Sequence, residues 1–511
     1  MSGRVYLVGA GPGDPELITQ RGARRLGEAD VVLYDALAHP DLLDLAPSGA
    51  EKVFVGKRAG RVSERQSAIT AKMIEAARAG KTVVRLKGGD PYLFGRGSEE
   101  AEALAAAGIE FEVVPGVSSP SAAAAYAGLS LTHRDHGSSV AYLTATESPE
   151  KDRSSHDWSK LATATDTLVI FMGARHLEAL MALLVEHGRA PSTPAAVIVR
   201  GSLPSQRVIE GTVATIADRA AAANAGTPAL TIVGEVVSLR RQLRWFDTKP
   251  LFGARVLVTR PEGSEGTLVT MLRDRGAEPI CAPAIVIAPP VDRAPLDRAV
   301  RALGDYDWIA LTSANGVRAL FAALQAASLD ARAFGRARVL AIGPATAAAL
   351  RDHGVRADLV PAEFRGEVAA AALIATGDLH GRRILLPRAE VARDALPDAL
   401  RAAGAQVDVV TAYRNVAPDA HAQARIASLI REGAVDVVTF TAPSTVREVL
   451  AVLGENGAHE LARLRVASIG PVTTEAARKA GVRVDVTARD YTAEGLAVAL
   501  EGDARENPRP P

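Results

Sequence analysis

Cysteine is almost missing: Cys281 stands alone among 511 residues. Neither an intrachain disulfide nor a thiolate metal cluster can be built, and a reducing compartment, the cytoplasm, is the expectation. Excess charge of either sign is missing too, with Lys plus Arg and Asp plus Glu both at 59. No bulk field draws the chain to nucleic acid or to an anionic membrane, and any anion site must be local. Long apolar runs are absent; the alanine-rich segments are broken by Arg, Asp and Gly before they could span a bilayer. Met1-Ser-Gly-Arg-Val-Tyr-Leu-Val-Gly9 lacks the basic start, apolar run and cleavage site of a secretory signal, so none is expected.

What is present is length and apolar content. At 511 residues and 48% hydrophobic, the chain exceeds the size at which one core keeps growing, so two or more domains are expected. Short β-branched runs (Val31–Tyr34, Thr82–Leu86, Thr167–Phe171, Ala195–Val199) alternate with Ala/Leu/Glu/Arg segments of helical length, the pattern of an α/β protein. The alternation relaxes between Arg240 and Gly253, and a fresh strand starts at Ala254-Arg-Val-Leu-Val-Thr259. The tail 502–511, ending in Asn507-Pro-Arg-Pro-Pro511, is expected to be disordered. Within the second half, Ala341-Ile-Gly-Pro-Ala-Thr346 returns as Ser468-Ile-Gly-Pro-Val-Thr473, and Thr312-Ser-Ala-Asn-Gly-Val317 is echoed by Thr441-Ala-Pro-Ser-Thr-Val446. That repeat implies two related lobes with a cleft between them.

The first half ends its strands in glycine-rich turns. Gly9-Ala-Gly11-Pro12-Gly13-Asp14-Pro15-Glu16 comes after the first strand and, with Asp35 farther on, has the outline of a dinucleotide-binding turn. Asp14 stands where that fingerprint has its third glycine, and with Pro15 and Glu16 it reads instead as a helix cap. Lys87-Gly88-Gly89-Asp90 comes after a second strand, with Ser98-Glu-Glu100 opening the next helix, and Pro115-Gly116-Val-Ser118-Ser119 after a third. Paired glycines after strands let main chain approach a ligand, and three such turns imply a shared crevice at the strand C-termini.

These residues carry a resemblance. GAGPGDP, VVLYD, VFVGKRAG, VVRLKGGDPYLFGRGSEE, VVPGVSS, LSLTHRD, TLVIFMG and PALTIVGEVV, in order across residues 4–246, closely resemble the uroporphyrinogen III C-methyltransferases of the tetrapyrrole methylase family. The resemblance implies S-adenosylmethionine as methyl donor, with contacts at Pro12, Gly88, Gly89, Asp90, Leu93, Ser118, Ser119, Met172 and Gly201. It also implies Asp35 as proton acceptor and Lys57 as proton donor. On the residues alone Asp35 also reads as a strand-end cap, and Lys57 as a solvated cation or a ligand for substrate carboxylate. Two departures mark the chain: Val62 and Thr144-Ala-Thr146-Glu147 stand where relatives often carry histidine. His133 and His136 have no third partner in sequence that would make a metal site, and none is expected.

The second half has no nucleophile elbow, P-loop or zinc spacing, and offers small polar turns that can open helices and present N–H groups to carboxylates, although each turn taken singly reads more readily as plain helix capping. VLVTRP, DWIALTSANGV, VLAIGPATAAAL, ILLPRAE, VVTAYRNV, VDVVTFTAPSTV, VASIGPVTTEAA and YTAEGLAVAL resemble uroporphyrinogen III synthase. That resemblance implies Tyr413 as a hydrogen-bond donor to the leaving hydroxyl, and substrate contacts at Ser313, Asn315, Thr346, Ser444 and Thr473.

Together the expected architecture is α/β throughout. A tetrapyrrole methylase fold of two α/β subdomains (about 1–115 and 116–247) is followed by a two-lobed synthase fold over 253–501. Its lobes are 253–285 plus 416–501 and 286–415, with crossings near Pro283–Ile287 and Val409–Val416. The synthase product would be the methyltransferase substrate, giving precorrin-2 for sirohaem or cobalamin. The partners expected are small tetrapyrroles and, by family, a second copy in a homodimer; nucleic acid, membrane and metal are not. The rival readings are a flavin- or nicotinamide-dependent oxidoreductase built on the first glycine turn, and a second half that only binds a tetrapyrrole and regulates the first.

Overall fold

The computed structural model describes residues 3–56, 66–145, 156–261 and 266–507. The chain divides into two units, 1–253 with 275–278 and 254–274 with 279–511.

The first unit holds two five-stranded sheets. One runs β3-β2-β4-β1-β5, with β1 (Arg4–Gly9), β2 (Val31–Tyr34), β3 (Glu51–Phe54), β4 (Thr82–Lys87) and β5 (Glu110–Val114) all parallel. Its strands read as unbroken apolar runs because both faces are covered: Val5 and Leu7 enter one core, Tyr6 and Val8 the other. Since the strands are parallel, the turns after β1, β2, β4 and β5 all emerge at one edge. The second sheet runs β6-β7-β10-β8-β9, from β6 (Val140–Thr144), β7 (Thr167–Phe171), β8 (Pro194–Val199), β9 (Arg207–Thr212) and β10 (Ala229–Val233). Only its β6–β7 pair is parallel; the other neighbours are antiparallel. Leu168 and Ile170 pack on one face of it and Val169 on the other.

The second unit also holds two five-stranded sheets. β11 (Arg255–Val258), β12 (Glu278–Cys281), β18 (Val437–Phe440), β19 (Arg465–Ser468) and β20 (Val486–Thr487) form one, in the order β12-β11-β18-β19-β20. β13 (Val286–Ala288), β14 (Trp308–Leu311), β15 (Arg338–Ala341), β16 (Arg383–Ala389) and β17 (Gln406–Val416) form the other, in the order β13-β17-β16-β14-β15. The short β13 pairs antiparallel with the end of β17, Val286 opposite Val416.

Two local readings need correction. Asp14 does cap, its Oδ1 accepting from Glu16 N–H at 3.0 Å, but the element it opens is a single 3-10 turn, Pro15–Leu17. The first α-helix, Gln20–Gly27, is capped by Thr19. The tail is not disordered from Gly502: the last helix runs Ala493–Glu506. Leu496, Ala497 and Leu500 bury one face, and Arg505–Glu501 and Arg465–Asp503 ion pairs tie down its end. Residues 508–511 lie outside the described residues.

Candidate functional site

Three strand-ending glycines of the first unit meet backbone to backbone. A Cβ placed on Gly9 would stand 2.5 Å from Gly116 Cα and 2.7 Å from the Gly89 oxygen; one on Gly116 would stand 2.2 Å from that same oxygen. No other residue permits that approach. The first two turns are also stitched together, Gly89 N–H donating to the Gly11 carbonyl at 2.6 Å and Gly11 N–H to Gly89 at 3.3 Å. Asp90 ties the second turn to the third, its Oδ1 accepting from Tyr92 N–H at 2.8 Å and its Oδ2 from Gly116 N–H at 3.0 Å. Ser119 backs Gly89, its Oγ 2.9 Å from where a Cβ would sit, and Ser118 Oγ lies 3.0 Å from Ser121 Oγ.

Strain gathers around the same crevice. Phe94, Arg96, Met172, Arg200 and Ser202 all hold positive φ, on turns after β4, β7 and β8. Each such residue costs about 1–3 kcal/mol and persists only where surrounding structure imposes it, commonly at ligand sites. Met172 is half exposed, and Leu37, Tyr92 and Phe94 are exposed too. Phe94 packs on Phe171 with ring centroids 4.7 Å apart, and Gly88 gives room to Leu37, whose Cβ is 2.5 Å from a hypothetical Gly88 Cβ. Leu37, Tyr92 and Phe94 are not among the sequence candidates; Tyr92 and Phe94 could be found as large apolar side chains inside a glycine-rich turn, whereas Leu37, in Asp35-Ala-Leu-Ala-His39, carries no such signal. Backbone, small hydroxyls and an open apolar rim suit a sulfonium compound, which needs close approach more than a counter-ion.

Asp35 directly follows β2, beside this rim. Its Oδ1 accepts from Leu37 N–H at 3.0 Å and its Oδ2 from Arg85 Nη2 at 3.1 Å. Arg85 is in turn held by Glu100, which is fully buried and also takes Lys87 Nζ at 3.1 Å and Gln66 Nε2 at 2.7 Å. Charges alternate along Asp35, Arg85, Glu100 and Lys87, so the carboxylate at the rim is anchored by a buried chain of ion pairs. Burial pushes the Lys87 ammonium down, helped by the Arg85 charge and opposed by Glu100. Lys57, Val62 and Thr146–Glu147 lie outside the described residues.

In the second unit an open cleft of about 1760 Å³ is lined from both sheets, by Thr312, Pro344 and Arg388 on one side and Pro471, Thr473 and Tyr491 on the other. Its two walls repeat a device. Gly343 seats the ring of Phe364, whose nearest atom would be 2.8 Å from a Cβ there, and Gly470 seats Tyr491 at 2.7 Å. Both rings line the cleft and are exposed. This explains the glycine of each Ile-Gly-Pro repeat, and the aromatic partners escape a sequence reading because they come from the turn before the following helix.

Of the sequence candidates, Thr473 lines the cleft. Thr346 is buried in the first turn of the helix Pro344–Asp352, Ser444 stands at the start of the helix Pro443–Leu453 away from the lining, and Asn315 accepts from Arg318 Nη2 at 2.5 Å. Ser313 and Tyr413 meet each other, hydroxyl to hydroxyl at 3.0 Å, just behind Thr312. Ser313 Oγ also accepts from Gly316 N–H at 3.0 Å, capping the helix Ala314–Ala326. Burial pushes the Tyr413 hydroxyl up, against weaker opposing effects of Ser313 and Arg318, so it remains a neutral O–H. Among the described residues no group of three or more His, Cys, Asp or Glu is placed to hold a metal, and no helix is long and apolar enough to cross a membrane.

Comparison with known proteins places both halves. Residues 4–217 match the family described as Tetrapyrrole (Corrin/Porphyrin) Methylases, and residues 266–497 match Uroporphyrinogen-III synthase HemD. The porphyrin biosynthesis protein HemD of Ruminiclostridium josui is 38% identical over 481 residues, covering 94% of both chains. An S-adenosyl-L-methionine-dependent uroporphyrinogen III methyltransferase of Methanosarcina barkeri is 50% identical over 46% of this chain and 93% of its own. A solved uroporphyrin-III C-methyltransferase of Thermus thermophilus is 42% identical, covering 48% of this chain and 99% of that one with a TM-score of 0.41. Similarity running the length of both chains decides the matter: the protein belongs to the HemD porphyrin-biosynthesis family in which a tetrapyrrole methylase is fused to a uroporphyrinogen-III synthase.

Proposed function

We propose that the second unit closes hydroxymethylbilane to uroporphyrinogen III and that the first unit methylates that product twice, giving precorrin-2. The observation that carries the methyl-transfer half is the meeting of Gly9, Gly89 and Gly116 at the strand edge where Asp35 also emerges. S-adenosylmethionine, bound there, supplies an electrophilic methyl on a sulfonium that leaves as a neutral thioether. The chain's own part is to align a pyrrole carbon with that methyl, which lowers the barrier by orientation, and to accept the proton the alkylated ring sheds. Asp35 takes that proton at Oδ2 or Oδ1 while Arg85 and the Leu37 amide hold its orientation. Pro12, Gly88, Gly89, Asp90, Leu93, Ser118, Ser119, Met172 and Gly201 form the donor crevice, and Lys57 is the proton donor.

In the second unit the tetrapyrrole provides the reacting electrons; the protein has to fold a flexible chain and favour one closure. Tyr413 donates to the hydroxyl that departs as water, and ring D inverts before the new carbon–carbon bond forms. Ser313, Asn315, Thr346, Ser444 and Thr473 provide the polar surroundings of the substrate's carboxylates. The product feeds sirohaem synthesis and, by the same precursor, cobalamin synthesis; the protein works in the cytoplasm as a homodimer through its first unit. The test gives the full chain hydroxymethylbilane with labelled S-adenosylmethionine and tracks dimethylated product. Asp35→Asn is expected to stop label transfer while type III ring closure continues, and Tyr413→Phe to slow closure by about 10²-fold while added uroporphyrinogen III is still methylated. If each variant leaves its own step unaffected, the assigned roles fail.

A further inference from the structure

Four residues from three separated segments of the first unit form a closed ring of hydrogen bonds. Asp14 N–H donates to Ser202 Oγ at 3.2 Å, and Ser202 N–H donates to Gln206 Oε1 at 2.9 Å. Gln206 Nε2 donates to the Tyr126 carbonyl at 3.1 Å, and Tyr126 Oη donates to Asp14 Oδ2 at 2.7 Å, which closes the circuit. Ser202 and Gln206 are buried. The Tyr126 hydroxyl is pushed well up, first by burial and then by its bond to Asp14, so it stays protonated and remains a donor. Its ring is wedged against Phe246, with centroids 4.7 Å apart.

The segments joined are the first glycine turn, the helix Ser119–Tyr126 and the turn after β8. They also pack closely where two glycines leave out a side chain: a Cβ on Gly13 would lie 3.0 Å from Ser202 Oγ and 3.2 Å from the Gly201 oxygen, and one on Gly201 would lie 2.6 Å from Ala123 Cβ. Each segment carries a residue proposed to contact the methyl donor: Pro12, Ser118 with Ser119, and Gly201. Ser202 holds φ +68, a conformation that a serine does not adopt unaided. The strain is tolerated where its hydroxyl and amide both serve the circuit.

We propose that Asp14, Tyr126, Ser202 and Gln206 are positioning residues that set the separation of the three donor-binding segments, and so govern affinity for S-adenosylmethionine without taking part in methyl transfer. The proposal rests on the reading of this crevice as the donor site. Cutting one link of a closed circuit releases the constraint of all four, so effects of two cuts should not add.

The test uses the full chain and two readouts: calorimetric Kd for S-adenosylhomocysteine, and kcat and KM for S-adenosylmethionine with uroporphyrinogen III. Tyr126→Phe keeps the ring packing and removes one link; it is expected to weaken Kd and KM about tenfold with kcat within twofold, as loss of one partly buried hydrogen bond implies. Gln206→Met should do the same, and the Tyr126→Phe/Gln206→Met pair should be no worse than the weaker-binding single variant. Ser202→Gly separates positioning from folding: glycine relieves the positive φ, so stability is held while affinity still drops. Unchanged Kd in the single variants, a multiplicative double variant, or a fall in kcat at constant KM would each overturn the proposal. Failure of the unaltered protein to bind S-adenosylhomocysteine would instead remove the donor-site reading beneath it.

Discussion

Replacing Glu100 by Gln removes a charge and almost no volume, which makes it a clean perturbation of the first unit. Glu100 is fully buried and faces Arg85 Nε at 3.3 Å and Lys87 Nζ at 3.1 Å, side chains that are themselves only 5% and 6% exposed. Without it the cluster holds two buried cations against one carboxylate, Asp35, which is itself 23% exposed. Breaking a buried pair by deleting one partner costs about 3–5 kcal/mol, and that is the expected loss for this unit near neutral pH. Arg85 also loses the group that steadies it against Asp35, so methyl transfer should slow as well.

The pH dependence comes from Lys87. Its folded-state value already lies below the ordinary 10.5, chiefly through burial, and Glu100 is the main group holding it up, with a smaller share from Asp35. A lysine depressed in the folded state binds fewer protons there than in the unfolded chain, so between its two pKa values stability rises with pH, levelling above the unfolded value. Glu100→Gln lowers the folded value further and widens that window downward. The variant's deficit should therefore be greatest near pH 7 and shrink toward pH ~10 as Lys87 loses its charge in both states, leaving the part owed to Arg85. Urea series ended by a brief protease pulse, with the surviving fragment of each unit quantified, give the first unit's stability and use the second as internal control. A deficit under about 1 kcal/mol near pH 7, or one that grows as pH rises, would refute the buried-pair reasoning.

Two further outcomes can be checked with little material. Gly116→Ala forces a methyl to within 2.2 Å of the Gly89 oxygen, and the backbone shift, costing about 1–3 kcal/mol, should weaken S-adenosylhomocysteine binding at least tenfold by calorimetry. Phe364→Ala and Tyr491→Ala remove exposed rings that line the cleft. At about 1 kcal/mol for a lost aromatic contact, each should raise KM for hydroxymethylbilane roughly fivefold with folding intact, and an unchanged KM in both would show that the rings only cover their glycines.

The strands are legible because burial on both faces leaves a plain mark: Val31–Tyr34 and Leu168–Phe171 are apolar without alternation, and both lie in covered sheets. The side-chain network was not. Glu99 and Glu100 are adjacent acids at a helix start, alike in any local reading, yet Glu99 sits in solvent beside Arg96 while Glu100 is sealed inside against Arg85 and Lys87. What separates them is the helix face: Glu100 shares its side with the buried Ala101 and Leu104, and only the position of β4 says which face is inward. Asp14 shows the same limit. Local rules found its capping bond to Glu16, two residues on, while its bonds to Tyr126 and Ser202 span 112 and 188 residues. In the second unit each polar turn reads from sequence either as a helix cap or as a carboxylate contact, and local pattern does not separate the two. Capping uses up some of those groups, as Ser313 does with Gly316, and the wall of the cleft falls to neighbours such as Thr312.

The two units use glycine for opposite ends, and the difference bears on how each tolerates change. In the first, Gly9 and Gly116 exclude side chains so that main chains can converge with the Gly89 carbonyl, and the atoms nearest an added Cβ at either are all backbone, with nothing flexible to yield. In the second, Gly343 and Gly470 exclude a Cβ so that a ring can lie on them, and both rings have an exposed side toward which they can tilt. A methyl added at Gly343 or Gly470 therefore displaces an aromatic side chain, a soft adjustment, whereas one added at Gly116 must move a peptide group and with it the turn that carries Asp90. Donor binding should be the function most easily lost to a single methyl, and ring closure the one that survives by rearranging its walls.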